Sequence, residues 1–108
     1  MKKLSLATLI VAATAMPINA QTATYYHSSY NGKKTASGTT FSQNQQVAAH
    51  PSLPFGTQVR VTNRNSGRSV VVRVVDRCRC SIDLSQGAFS QIGSLSSGRI
   101  PVSLQVLQ

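Results

Sequence analysis

The chain has 108 residues and a formal net charge of +9, from eleven Lys and Arg against two acidic residues, with 41% hydrophobic residues and no Trp. That length allows one domain. The two acids are Asp76 and Asp83 and there is no Glu, which excludes a carboxylate-rich calcium or magnesium cage and confines any two-carboxylate mechanism to this pair.

Lys2 and Lys3 precede a mostly apolar run from Leu4 to Ala15, and Pro17 interrupts it before the small residue Ala20. This is the pattern of a cleavable export signal over residues 1–20, with the cut expected after Ala20 and the mature protein in the periplasm or outside the cell. The run is short of the roughly 20 apolar residues of a membrane span, and no Cys stands near the cut to carry lipid. No stable membrane anchor is therefore expected. Without residues 1–20, 88 residues and a charge of +7 remain as the domain 21–108, enough for one modest core.

Thr22 to Tyr26 favours a strand, and the Gly/Ser/Thr-rich stretch from Ser28 to Thr40 reads as a surface loop. Thr57 to Thr62 alternates, with Val59 and Val61 on one face, and Arg68 to Val75 is a β-branched run. These two are expected to pair across Asn63-Arg64-Asn65-Ser66-Gly67, a turn by composition. A short helix is expected over Ser85 to Ile92, capped by Ser85 and stopped at Gly93. Pro101 to Leu107 gives a closing strand with Val102, Leu104 and Val106 on one face. Short strands with so little helix point to an all-β domain closed as a small barrel, because closure removes edges that so short a chain cannot otherwise cover.

Asp76 follows the Val70 to Val75 run directly, at a strand end, where sites are often built. The competing role is a turn cap or an ion pair with Arg77 or Arg79. Asp83 precedes the expected helix, where an Asp commonly binds free backbone N–H groups. His50, between Ala49 and Pro51, is either a hydrogen-bonded structural residue or a functional one. Cys78 and Cys80 are the only thiols; in an exported chain a disulfide between them is the favoured state. An intermolecular disulfide is a second option. A zinc site completed by His27 or His50 falls short of the usual four ligands, so neither metal nor cofactor is expected. The spread-out Lys and Arg residues imply an anionic partner. Nucleic acid is not expected, since export argues against it and no recognition motif is present; an anionic envelope polymer suits the compartment. Tyr25, Tyr26 and Tyr30 form a cluster that offers rings to sugar faces or to the core.

Taken in order, Ala23-Thr24-Tyr25-Tyr26, Gly32-Lys33-Lys34-Thr35-Ala36-Ser37-Gly38, Ala48-Ala49-His50-Pro51-Ser52-Leu53-Pro54-Phe55-Gly56-Thr57, Val59-Arg60-Val61-Thr62-Asn63, Gly67-Arg68, Asp76-Arg77 and Ile82-Asp83-Leu84-Ser85 resemble the rare lipoprotein A family. The resemblance runs from about Ala23 to Leu107. It implies a six-stranded double-psi β-barrel with one or two short helices, related to the barrels of expansins and barwin. It also implies action on peptidoglycan glycan strands, with septal or other envelope proteins as further partners. Carried over, the family's general acid falls on Asp76, its supporting His on His50 and its third site position on Thr39; Thr39, Tyr25, Tyr26 and Asp83 are the expected substrate-binding positions. The family's usual Glu is replaced by Thr39, the Asp76-to-Asp83 loop is short and holds the Cys-x-Cys, and the lipid-bearing Cys is missing.

A conventional glycosidase needs two carboxyl groups about 5 to 9.5 Å apart. A lytic transglycosylase manages with one, because the 6-hydroxyl of N-acetylmuramic acid attacks its own anomeric carbon and leaves a 1,6-anhydro end. The resemblance therefore implies an endolytic transglycosylase in which Asp76 protonates the glycosidic oxygen and then takes the hydroxyl proton. The competing class is a non-catalytic peptidoglycan-binding module of the expansin type, which Thr39 favours. For Asp76 to hold a proton near neutral pH it must be buried, with Arg77 and Arg79 turned away.

Overall fold

The computed structural model describes residues 18–107, so all but the last three residues of the expected export segment lie outside the described residues. Six strands form: β1 (Ile18–Tyr25), β2 (Val47–Ala49), β3 (Gln58–Asn63), β4 (Ser69–Asp76), β5 (Ile82–Leu84) and β6 (Ile100–Leu107). They close into a barrel in the order β1-β5-β2-β4-β3-β6. β1 with β5 and β2 with β4 run parallel, and the other neighbours run antiparallel. A closed sheet leaves no open edge.

Period-two alternation fills the barrel. Val59 and Val61 of β3, Val70, Val72 and Val74 of β4, Ile82 and Leu84 of β5, and Val102 and Leu104 of β6 share one buried cluster with Ala23 and Ala48. The hairpin expected between β3 and β4 is present, pairing Thr62 with Ser69. Its turn is closed by Gly67 N–H donating to Asn63 O, with Gly67 at φ 80°. The Asn63 side chain accepts from Asn65 N–H and donates to Ile92 O, tying the turn to the helix. The two three-residue strands, β2 and β5, were not expected: a run this short shows no period, and Val47, Ala48 and Ala49 are all buried.

The one α-helix among the described residues, α1 (Gln86–Ile92), buries Ala88, Phe89 and Ile92 against the same core. Its cap is Ser85, as expected, and not Asp83: the Ser85 hydroxyl accepts from Ala88 N–H and donates to Gln45 O. Asp83 lies one residue too early and belongs to β5. Ser85→Ala removes both bonds at a fully buried position, so a loss of about 1–2 kcal/mol is expected in thermal or denaturant unfolding.

A bulge in β4 decides which way the site faces. Ala48 pairs with Val74, but Ala49 pairs with Asp76, so Val75 is the extra residue. Strict alternation after Val70, Val72 and Val74 would turn Asp76 into the core. The bulge shifts the strand by one residue, which reverses facing. Val75 joins a second, outer cluster with Tyr26, Phe41, Val47 and Ala49, and Asp76 stands on the same outer face.

Candidate functional site

Asp76 ends β4, and its carboxylate accepts three hydrogen bonds. The Tyr26 hydroxyl donates to Oδ2 at 2.8 Å, while Ala36 N–H and Arg77 N–H donate to Oδ1 at 2.9 and 3.0 Å. The Ala36 bond comes from the loop that follows β1. That loop doubles back on itself, with Phe41 N–H donating to Lys33 O and Thr35 N–H to Thr39 O. It is pinned to the barrel by Ser37 N–H on Val75 O, a carbonyl that the bulge frees from the ladder. Phe41 stacks on Tyr26 with ring centroids 4.1 Å apart. The loop is thus a packed wall of the site and not a free strap.

Burial, together with the bond to Asp76, pushes the Tyr26 hydroxyl far above the ordinary tyrosine range. It stays a protonated donor and does not act as a base. The neighbouring Tyr25, also expected to meet substrate, is turned the other way. Its ring packs edge-on against Phe89 at 4.9 Å, and its hydroxyl donates to Leu95 O. Adjacent strand residues face opposite sides, so only one of the two tyrosines reaches the site, and that one is 5% exposed. The rings open to solvent are others. Tyr30 (50% exposed) packs edge-on against Tyr26, and Phe55 (43% exposed) lies under the Arg77 guanidinium at 4.1 Å. Phe55 was missed as a site residue, although its place in the Leu-Pro-Phe-Gly-Thr block was a signal. Both rings also meet a cation: Lys33 lies 5.7 Å from the Tyr30 centroid, and Arg77 lies over Phe55.

Asp76 is half-buried rather than buried, and neither the Arg77 nor the Arg79 guanidinium pairs with its carboxylate among the described residues. Arg77 donates from its guanidinium to the main-chain oxygens of His50 and Asp76, and Arg79 faces a separate cleft. His50 meets Asp76 through the backbone, its N–H donating to Asp76 O at 3.1 Å. The imidazole Nδ1 accepts from Ser52 N–H and Leu53 N–H, which places the neutral ring's proton on Nε2. Burial, and then the Arg77 charge, lower its pKa and favour that neutral form. Thr39 sits in a cluster of three hydroxyls with Thr35 and Ser37, each pair 2.9 to 3.0 Å apart. This cluster brackets Ala36, the residue that grips Asp76.

Asp83 shares the outer face. It pairs with Ala49 on one side and Thr24 on the other, and the Thr24 hydroxyl donates to Oδ1 at 2.9 Å. Ala49 separates it from Asp76, so the two residues stand two strand spacings apart, about 9 to 10 Å from backbone to backbone. Burial pushes the Asp83 carboxyl up, the Thr24 bond opposes this, and the Asp76 charge pushes the same way as burial. The folded state therefore disfavours ionised Asp83, and its contribution to stability, full in acid, is lost as pH rises through the folded pKa. Asp83→Asn keeps an oxygen for Thr24 and never ionises. Its melting temperature is expected to gain on wild type between acid and neutral pH; a pH-independent difference would contradict this.

Cys78 and Cys80 are bonded to each other, as favoured from sequence. Among the described residues no three His, Cys, Asp or Glu side chains come together, and no helix is long and apolar enough to cross a membrane.

The family model described as "Lytic transglycolase" matches residues 18–104. The chain belongs to this lytic transglycosylase-like family of double-psi β-barrels, whose wider fold includes the expansins. It is 58% identical over 85 residues to an uncharacterized protein of Synechocystis sp., covering 79% of this chain and 94% of that one. It is 47% identical over 89 residues to the endolytic peptidoglycan transglycosylase RlpA of Campylobacter jejuni, covering 79% of this chain but 32% of the relative. The chain thus spans about a third of that transglycosylase's length. Among solved structures, the Streptomyces papain inhibitor superposes with a TM-score of 0.70 at 27% identity, over 86% of this chain and 96% of that one. The Clavibacter michiganensis expansin superposes with a TM-score of 0.71 at 25% identity, over 86% of this chain and 51% of that one.

Proposed function

We propose that the protein is an exported endolytic transglycosylase that cuts peptidoglycan glycan strands and leaves 1,6-anhydro-muramyl ends, with Asp76 as its acid and base. The observation that carries this reading is the Asp76 carboxylate itself, set on the outer face at the bulge and held there by donors from Tyr26, Ala36 and Arg77. The resting carboxylate is an acceptor for three donors. In its protonated form Asp76 gives its proton to the glycosidic oxygen as the bond to the anomeric carbon breaks, and the carboxylate then takes the proton of the attacking 6-hydroxyl, which regenerates the acid. Substrate crossing the groove also excludes water, and this desolvation favours the protonated acid. Tyr26 and Ala36 hold the carboxylate in place, and His50 positions it through the main chain. One acid is enough because the substrate's own 6-hydroxyl is the nucleophile.

Export is supported by the basic-apolar start of the chain. A second reading, a wall-binding module without turnover, is favoured by Thr39, which carries a hydroxyl at the position where the resemblance implies a Glu. The two separate when purified protein is incubated with peptidoglycan and the soluble fraction is weighed by mass spectrometry. Anhydro-muramyl fragments support the enzyme. Protein that sediments with the wall and releases nothing supports the module.

A further inference from the structure

A cleft of about 570 Å³ opens on the outer face, lined by Thr22, Thr24, Arg79, Cys80, Ser81 and Arg99. A recess of about 200 Å³ continues it, sharing Thr22 and Arg99 and adding Ile100 and Pro101. Three separated segments build it: β1, the loop after β4 and the start of β6. Two features hold it in shape. Thr22 pairs with Pro101 in the β1–β6 ladder, and the Cys78–Cys80 bond closes a short ring around Arg79. Arg60 bonds Gln105, and Arg77 is held by main-chain oxygens and Phe55, whereas the guanidinium groups of Arg79 and Arg99 have no partner among the described residues. Arg64, Arg68 and Arg73 are also unpaired but do not line the cleft.

We propose that this cleft is a carboxylate subsite for a 2-substituted propanoate carried on the glycan strand, a deepening that rests on the wall-strand reading above. The guanidinium forks of Arg79 and Arg99 suit a carboxylate, which they meet with paired N–H donors. The recess with Ile100 and Pro101 takes the methyl group on the carbon beside that carboxylate. The hydroxyls of Thr22 and Ser81 line the cleft as donors to the substituent. Thr24 gives its proton to Asp83 and so offers the cleft an acceptor. Two wall groups have this structure: the lactyl ether of muramic acid on strands stripped of peptide, and the terminal alanine of a stem peptide. Position fits as well. Thr24, Asp83, Ala49 and Asp76 are register partners on successive strands, so the cleft lies about 14 Å around the sheet from Asp76. A strand laid across this face puts one sugar at Asp76 and a carboxylate further along in the cleft.

The test is titration calorimetry of purified wild type, Arg79→Gln/Arg99→Gln and, for equal charge loss elsewhere, Arg64→Gln/Arg68→Gln. The ligands are peptide-free strands, peptide-bearing strands, and both after their carboxylates are converted to amides. The cleft variant is expected to bind at least one carboxylate-bearing strand about tenfold more weakly, and the amidated strands within about twofold of wild type. The control variant stays within about twofold throughout. Loss confined to peptide-free strands identifies the lactyl carboxylate, and loss confined to peptide-bearing strands identifies the alanine. Equal losses in the two double variants, or a loss that persists on amidated strands, overturn the subsite in favour of general charge attraction. Wild type that binds no strand sinks the wall-strand reading itself; wild-type binding that Arg79 and Arg99 do not influence sinks the subsite alone.

Discussion

Asp76→Asn is expected to lower glycan cleavage by at least about 10²- to 10⁴-fold, the usual contribution of a general acid–base group, while the protein melts close to wild type. The fold should survive because the amide keeps the bonds that hold the loop. Asn Oδ1 still accepts from Ala36 and Arg77, and its NH₂ meets the Tyr26 oxygen, which turns from donor to acceptor. What disappears is the exchangeable proton. The check is product release measured beside a melting curve. Full activity in a folded Asn variant would move the acid to Asp83, whose carboxyl is pushed up from its ordinary value by desolvation.

The second large effect is expected from Thr39→Glu. Thr39 lies in the hydroxyl cluster that brackets Ala36, so a carboxylate placed there approaches the Asp76 region from the loop side. Its negative charge raises the proton affinity of the acid, and its oxygens orient substrate. Turnover is expected to rise, by as much as about 10²-fold if the geometry of a supporting acid–base group is restored. Thr40→Glu is the control. Thr40 bridges Lys34 in the same loop, and its side chain leaves the backbone on the opposite side. Equal gains from both variants would assign the effect to net charge and remove Thr39 from the site. No gain from either, in protein that still binds the wall, would favour the binding module.

The elements that alternate were legible in the sequence. β3, β4, their turn and the closing strand follow from Val59, Val61, the Val70–Val75 run and Val102 and Leu104, and α1 follows from Ser85 and Gly93. β2 and β5 were not legible, because three residues buried by their neighbours carry no periodic signal. The bulge at Val75 was hidden for a related reason: a run of valines looks the same on either face. Asp76 stood out by its place at a strand end, but its grip by Tyr26 and Ala36 depends on contacts 50 and 40 residues away. The choice between Tyr25 and Tyr26 required knowing which face of β1 is inward. Asp83 looked like a helix cap because it lies close to one. Register with Thr24 and Ala49 makes it a strand residue instead.

One carboxylate suffices where the substrate attacks itself, and the route of oxygen separates that chemistry from hydrolysis. Strands cleaved in water enriched in heavy oxygen should yield anhydro-muramyl ends that are lighter than hydrolysis products by one water and carry no label. Labelled reducing ends would contradict the account. They would show that water is the nucleophile, and Asp76 and Asp83 would then have to work as a pair across Ala49.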